Sequence, residues 1–351
     1  MEIKVGDINY NTKFQHMQVE ITGKCNMRCQ HCRAWDEAKV HMSISLFKQC
    51  IDFAMSESDS DFRLTISGGE PFMHPNLVEC VSYAFEKGIH NMIITTNGSI
   101  NSKEIIQKLD SLGVPNLSIQ ISVDSVNSQE HDEFRGFPGA FDKAMNMFDL
   151  LIGTNLKAAL RSSLTPNTIN QVRPLINLAL KKKAIRVGLG TVIPAGKGKE
   201  NTQLILTADK KKEFLEELAQ CKKEFTDIDI TSEDPLKFNL HDCPWEYGDY
   251  DLDDPALFGG CTAGITGFNI DSEGTITPCA VLLKKVVNIK DKSIDEIKEI
   301  YSNSDIIKNL FAKKFSGKCG SCKLKRLCGG CRAVADGLSG DYLASDVTCW
   351  I

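Results

Sequence analysis

Residues 25–32 read Cys25-Asn26-Met27-Arg28-Cys29-Gln30-His31-Cys32, directly after the apolar stretch Met17-Gln18-Val19-Glu20-Ile21 and three linking residues. This is a Cys-x3-Cys-x2-Cys run. Three thiols so close together cannot close a disulfide set among themselves. Thiolates are soft ligands, and three of them can hold three irons of a four-iron cluster. The fourth iron then has no protein ligand and is open to a small molecule. That arrangement can deliver an electron to a bound substrate. Half of a zinc site, or reduced structural thiols, are the plainer readings of the same run.

The run resembles the cluster loop of the radical S-adenosylmethionine (SAM) superfamily. His31 stands where that family usually carries an aromatic residue. The resemblance implies that the open iron binds the amino and carboxylate groups of SAM. An electron then cleaves the sulfonium and releases a 5′-deoxyadenosyl radical.

Outward from this loop, short apolar runs alternate with amphipathic stretches. Candidate strands are 18–22, 63–67, 91–95, 117–123, 157–162 and 186–190. Candidate helices are 43–56, 76–87, 102–112, 140–152, 168–181 and 208–225. Strand alternating with helix at this pitch predicts βα units on a parallel sheet. The fold class is α/β, and six units fit a partial (β/α)6, TIM-like barrel over residues 1–230. Functional residues of such barrels sit after the C-terminal ends of strands, which is where the cysteine run lies.

Three further strand ends carry polar groups. Ser67-Gly68-Gly69-Glu70-Pro71 lets backbone approach a ligand closely and offers a carboxylate to an ammonium group. The resemblance gives Gly68, Gly69 and Glu70 the amino group of SAM. Asn97-Gly98 reads as a turn on the active face, with Asn97 a cofactor contact. Ser122 and Asp124 are matched to the ribose or carboxylate of SAM. Arg161 is either a partner of that carboxylate or a structural ion pair. Arg135-Gly136-Phe137-Pro138-Gly139-Ala140-Phe141 resembles a stretch of peptide- and haem-maturing members, and by itself reads as a helix entry. The loop from Val192 to Gly198 is glycine-rich enough to pass under an adenine, and turn chemistry alone also selects it.

After about residue 230 the alternation stops. Two short strands around Ser272-Glu273-Gly274 predict a hairpin flanked by Cys261 and Cys279. A helix over about 293–308 follows, then Cys319-x2-Cys322-x5-Cys328-x2-Cys331, and then Cys349. The four central cysteines alone would suit a zinc ribbon. Seven are too many for one zinc. The set resembles the SPASM domain, a loop-rich extension with two auxiliary 4Fe-4S clusters, here residues 231–351. The resemblance places Cys319, Cys322, Cys328 and Cys349 on an outer cluster. It places Cys261, Cys279 and Cys331 on an inner one. Full members have one more cysteine shortly before Cys261, absent here. Either Cys243 supplies that ligand or the inner cluster has an open iron. As a free thiol, Cys243 is also the candidate catalytic hydrogen donor. Cys50, Cys80 and Cys221 lie in helical patterns and read as buried apolar residues.

Composition sets the background. The 351 residues suit about two domains. Hydrophobic residues make up 42% and charged residues 25%, with a net charge of −5, so no global field favours nucleic acid or an anionic membrane. The runs Lys181–Lys183 and Lys210–Lys212 read as solvated helix faces. With no long apolar stretch and no signal-peptide pattern, a cytoplasmic chain is expected, and 14 cysteines then point to metal rather than disulfides.

Three 4Fe-4S clusters and SAM imply radical chemistry, with an electron donor of flavodoxin or ferredoxin type. The first expectation is an oxidoreductase that matures a ribosomally made peptide by crosslinking, oxidation or epimerisation. Only about 16 residues precede the first barrel strand, so a separate carrier protein, or recognition by the SPASM face, is expected. The alternative is a haem-biosynthesis enzyme that oxidises porphyrin propionates, with Arg33, Arg173 and Arg332 meeting them. A non-catalytic electron-transfer or scaffold protein is the third reading, and the retained Glu70 argues against it. Sulfatase-type maturation fits least, because Ala280 stands where such enzymes carry an aspartate after the second hairpin cysteine.

Overall fold

A computed structural model describes residues 1–240, 251, 252, 254, 255 and 257–351. Cys243 therefore lies outside the described residues. The strands are β1 (Glu2–Val5), β2 (Ile8–Asn11), β3 (Phe14–Thr22), β4 (Ser58–Gly68), β5 (Asn91–Thr96), β6 (Asn116–Ser122), β7 (Lys157–Leu164), β8 (Arg186–Thr191), β9 (Asp229–Thr231), β10 (Gly267–Ile270), β11 (Thr275–Thr277) and β12 (Val287–Asn288). The α-helices are α1 (Ile44–Ser56), α2 (Leu77–Glu86), α3 (Lys103–Ser111), α4 (Ser128–Arg135), α5 (Ala140–Leu150), α6 (Val172–Lys181), α7 (Ala208–Glu224), α8 (Ile294–Asn303), α9 (Asp305–Phe311), α10 (Gly317–Ser321) and α11 (Arg332–Ser339).

Among the described residues, one sheet runs in the order β12-β11-β10-β3-β4-β5-β6-β7-β8-β9. From β10 to β9 every pairing is parallel, and β10, β11 and β12 pair antiparallel. The sheet is open: its terminal strands β12 and β9 do not pair with each other. It is the expected α/β partial barrel, and each of the six expected strands is present.

Period-two alternation explains its two faces. On β3, Met17, Val19 and Ile21 are fully buried in the apolar core with Leu64 and Ile66 of β4 and Phe47 and Ile51 of α1. The alternate residues meet on the inner face, where Gln18 Nε2 donates to Ser67 Oγ at 2.7 Å. Side-chain caps fix several helix starts: Ser43 caps α1, Ser102 caps α3 and Thr207 caps α7.

Four features differ from the sequence expectation. The C-terminal hairpin is not confined to its own region: β10 pairs in parallel with β3, Phe268 beside Met17, so the regions on either side of residue 230 share one sheet. Phe14 packs on Phe268 with ring centroids 4.4 Å apart, and Tyr10 of β2 packs on Phe311 at 5.3 Å. The helix expected over 293–308 is two helices, broken at Ser304, which is extended (ψ 126°) and caps α9. Residues 128–135 form α4, which ends at Gly136 in the left-handed region (φ 60°). Finally, Lys211 is not a solvated face residue. It is 2% exposed and pairs with Asp234 at 2.6 Å.

Candidate active site and cysteine groups

The loop after β3 carries Cys25, Cys29 and Cys32, each half-buried. It is gripped on three sides. From β4, Gly69 packs so closely that a β-carbon there would lie 2.1 Å from Lys24 O and 3.1 Å from Cys25 Cβ. The amides of Gly69 and Glu70 donate to Thr22 O (2.6 Å) and Lys24 O (2.8 Å). From the end of α4, Arg135 O and Phe134 O accept from Arg28 N (3.2 Å) and Gln30 N (3.0 Å). From the glycine-rich loop, Lys197 N donates to Cys32 O at 2.9 Å. Gly196, at φ +50°, leaves no room for a β-carbon, which would meet Arg33 O at 2.3 Å. The helix entry after α4 and the glycine-rich loop after β8 therefore stand as walls of the cysteine loop.

The three thiols lie within electrostatic reach of one another. Burial pushes all three above the ordinary thiol range, Cys29 to about 11. Asn97 Nδ2 is 3.8 Å from Cys25 Sγ and donates to Asn26 Oδ1 at 3.0 Å. His31 stacks flat on Phe134, centroids 4.5 Å apart and planes 3° apart, and thereby fills an aromatic role.

Glu70 is fully buried and accepts from Phe72 N, Thr96 Oγ1 and Asn97 N at 3.1, 2.8 and 2.7 Å. Its carboxylate ties the β4 and β5 loops together beside the cysteines. Asp124 is also engaged within the protein. One oxygen accepts from Ser163 N at 2.8 Å, and the other meets Arg135 at 2.6 Å. Burial pushes its carboxyl up, but Arg135, His31 and His131 outweigh that and hold it below the usual range. Ser122 ends β6 opposite Arg161. Arg161 is exposed on the inner face beside Gln120 and Gly188. It makes no ion pair among the described residues. Its charge and that of Arg63 outweigh burial and hold Glu233 below the usual carboxylate range.

The C-terminal cysteines form two groups. Cys331 faces Cys261 and Cys279, and burial pushes its thiol well up and that of Cys279 to about 11. Cys349 faces Cys319 and Cys322, and Cys328 faces Cys349. Amides aim at several sulfurs: Leu282 N at Cys279 (3.2 Å), Gly330 N at Cys328 (3.3 Å), Leu324 N at Cys322 and Asp346 N at Cys319 (both 3.4 Å). Such donors suit thiolates bound to metal. Among the described residues no three side chains converge tightly enough for a single metal ion. The donor set itself, thiols met by backbone amides, is of the kind that iron–sulfur clusters take. Cys50, Cys80 and Cys221 are fully buried in the apolar core, as expected.

The three arginines expected to meet propionates are all committed elsewhere. Arg33 binds Glu20 (2.7 Å), Glu37 (3.3 Å) and Ala280 O (3.1 Å), a buried triad where burial and Glu20 push the Glu37 carboxyl up. Arg173 binds Glu217 and Glu224 between α6 and α7. Arg332 is 1% exposed. Apart from Glu37, four residues after Arg33, the carboxylate partners of Arg33 and Arg173 are 13 or more residues away in sequence, so local pattern does not reveal them.

Residues 19–179 match the family model described as Radical SAM superfamily. The chain carries a radical SAM domain. It is an enzyme of that superfamily, whose members bind a 4Fe-4S cluster and SAM. An AdoMet-dependent heme synthase of Methanosarcina barkeri is 28% identical over 346 residues, 94% of each chain. The antilisterial bacteriocin subtilosin biosynthesis protein AlbA of Bacillus subtilis is 26% identical, over 95% of this chain and 70% of AlbA. Streptococcus suis SuiB bound to its precursor peptide SuiA superposes with a TM-score of 0.73 at 18% identity, covering 97% of this chain and 76% of SuiB. The anSMEcpe structure with bound AdoMet gives 0.69 at 20% identity, over 95% and 90%. These structural likenesses establish the radical SAM fold. Among the described residues no helix is long and apolar enough to cross a membrane.

Proposed function

We propose that this enzyme modifies a ribosomally made peptide or protein by a radical route, with Cys25, Cys29 and Cys32 holding the SAM-binding cluster. When bound, that cluster supplies the electron that cleaves SAM to a 5′-deoxyadenosyl radical. Residues 231–351 act as a SPASM domain, with Cys319, Cys322, Cys328 and Cys349 holding one auxiliary cluster and Cys261, Cys279 and Cys331 the other. Cys243 is the proposed fourth inner ligand. Gly68, Gly69, Glu70, Asn97, Ser122, Asp124 and Arg161 form the cofactor side of the site. Within that set, Glu70 and Asp124 act by fixing the loops, and Arg161, which makes no ion pair among the described residues, offers a cation on the inner face. A flavodoxin or ferredoxin in the cytoplasm is the proposed donor.

The observation that carries a peptide over a porphyrin is the fate of Arg33, Arg173 and Arg332. Each is bound to carboxylates or carbonyls of the protein itself, so none is left for a propionate. The haem-synthase reading stands second. It is supported by relatives of that name matched over 94% of both chains, and by Arg63 and Arg161 facing the barrel interior. The reconstituted enzyme with SAM and dithionite separates the two. Incubation with precursor peptides and, in parallel, with a propionate-bearing iron porphyrin is followed by mass spectrometry. A mass change in the peptide alone is expected. A change in the porphyrin alone would replace the first reading with the second.

A further inference from the structure

Two buried cations lie among the seven C-terminal cysteines, and neither has a carboxylate partner among the described residues. Arg332 is 1% exposed and Lys313 is 4% exposed. Arg332 Nη1 donates to Tyr342 O (3.0 Å) and Ala344 O (2.6 Å), and Nη2 donates to Cys319 Sγ (3.5 Å). Its Nε is buried with no partner among the described residues. Lys313 Nζ donates to Cys261 O at 3.1 Å. The two cations share one ring. The Arg332 guanidinium lies 4.2 Å from the Phe315 centroid and Lys313 Nζ lies 5.9 Å from it. Lys313 also sits at φ 48°, a left-handed conformation that a lysine rarely adopts, so the surrounding structure holds it there.

A buried charge is costly, and carbonyls and a ring offset only part of that cost; the buried carboxylate of Asp346 lies nearby, accepting from Cys331 N at 2.8 Å, but forms an ion pair with neither cation among the described residues. Lys313 is at the backbone of Cys261 in one cysteine group, and Arg332 is at the sulfur of Cys319 in the other. Cys261 N also donates to Cys328 O at 3.3 Å, which joins the groups directly. The cations are thus at the seam between two sets of thiolates. A metal cluster bound by thiolates is anionic overall, and a nearby positive charge favours its more negative, reduced form.

We propose that Lys313 and Arg332, bridged by Phe315, are positioning residues that raise the reduction potentials of the two auxiliary centres, Lys313 acting on the inner one and Arg332 on the outer. The inference rests on reading the seven cysteines as two iron–sulfur centres. Each reduction takes up one electron, supplied in the test by dithionite, and no covalent bond forms or breaks.

The test uses the full chain with Cys25, Cys29 and Cys32 all replaced by alanine, so that only the C-terminal centres give signals. After anaerobic reconstitution, iron and sulfide are counted and the centres are titrated potentiometrically under paramagnetic resonance. Lys313→Met and Arg332→Gln should each disfavour reduction of the nearer centre at least tenfold, a downward shift of about 59 mV for one electron. Lys313→Arg and Arg332→Lys, which keep the charge, should stay near the parent value. Fully loaded neutral variants with parent potentials would overturn the proposal. If a neutral variant fails to load, loading of its charge-retaining counterpart supports the role of charge, and equal failure of both overturns it. A parent protein that holds zinc and no sulfide removes the underlying reading of the centres, and the proposal with it.

Discussion

Arg135 joins the buried carboxylate of Asp124 to the cysteine loop. Its Nε lies 2.6 Å from Asp124 Oδ2 and its Nη1 lies 3.9 Å from Cys29 Sγ. The side chains are only 10% and 3% exposed. Removing one partner of such a pair leaves a buried charge uncompensated. Asp124→Ala should therefore destabilise the apo chain by about 3–5 kcal/mol. Replacing both partners, as Asp124→Leu with Arg135→Met, should cost less than the sum of the single changes. Urea unfolding of the four proteins measures the coupling. Strict additivity would mean that the ion pair contributes nothing.

The packing of Gly69 on Lys24 and Cys25 makes a sharper prediction about metal. The clash in Gly69→Ala is with backbone, which cannot swing aside, so the loop must move. Gly69→Ala should lose the iron of the N-terminal centre, about four of about twelve per chain. Gly113, at φ +67°, has open space where its β-carbon would go. Gly113→Ala should keep all its iron and cost only about 1 kcal/mol for the left-handed backbone. Iron and sulfide analysis after anaerobic reconstitution compares the two. Full iron in Gly69→Ala would show that the loop tolerates displacement.

The barrel was legible because its strands are apolar runs closed by turn residues, and most of its helices carry apolar stripes, three of them behind capping hydroxyls. Helix α4 carries no such stripe. Its sequence is Ser-Gln-Glu-His-Asp-Glu-Phe-Arg, and its buried residues are His131 and Arg135. A helix that buries polar groups gives no apolar period to read. The hairpin β1–β2 buries only Ile3 and Tyr10, too little to set it apart from a loop. The cysteine runs stood out because their spacing is short and patterned, but their assignment to particular clusters came from the family resemblance and not from spacing. The arginines were not, because a sequence displays charge but not the distant carboxylate that neutralises it. Arg173 finds Glu217 and Glu224 one helix later, and Lys211 finds Asp234 in the loop after β9.

Catalysis tests the N-terminal cysteines directly. Loss of one of three thiolates removes both the geometry of the cluster and its open iron. Cys25→Ala, Cys29→Ala and Cys32→Ala should each abolish reductive formation of 5′-deoxyadenosine from SAM. The triple variant should still bind about eight irons, held by the C-terminal cysteines. Chromatography of the quenched reaction gives the first result and iron analysis the second. Undiminished 5′-deoxyadenosine from the triple variant would remove these residues from the site.

Two histidines, one fully buried and one half-buried, predict how the apo chain responds to acid. His131 is fully buried and its Nδ1 accepts from Asp124 N at 3.1 Å, which requires the neutral ring. Burial, then the charge of Arg135, depress its pKa to about 4. His16, on the inner face of β3, is depressed to about 4 by burial and then by Arg63. In the unfolded chain both return to about 6.5. Between pH 6.5 and 4 the unfolded state therefore binds more protons than the folded state, so stability falls as the pH drops through that window. Above pH 6.5 the two histidines add no pH dependence. Each should contribute a slope of up to about 1.4 kcal/mol per pH unit within the window. Urea midpoints of the apo chain between pH 7 and 4 measure the total. His131→Gln should remove about one histidine's share of the slope while keeping a side chain that can accept from Asp124 N. An unchanged slope in that variant would mean that His131 is already protonated in the fold, contrary to the hydrogen bond it accepts.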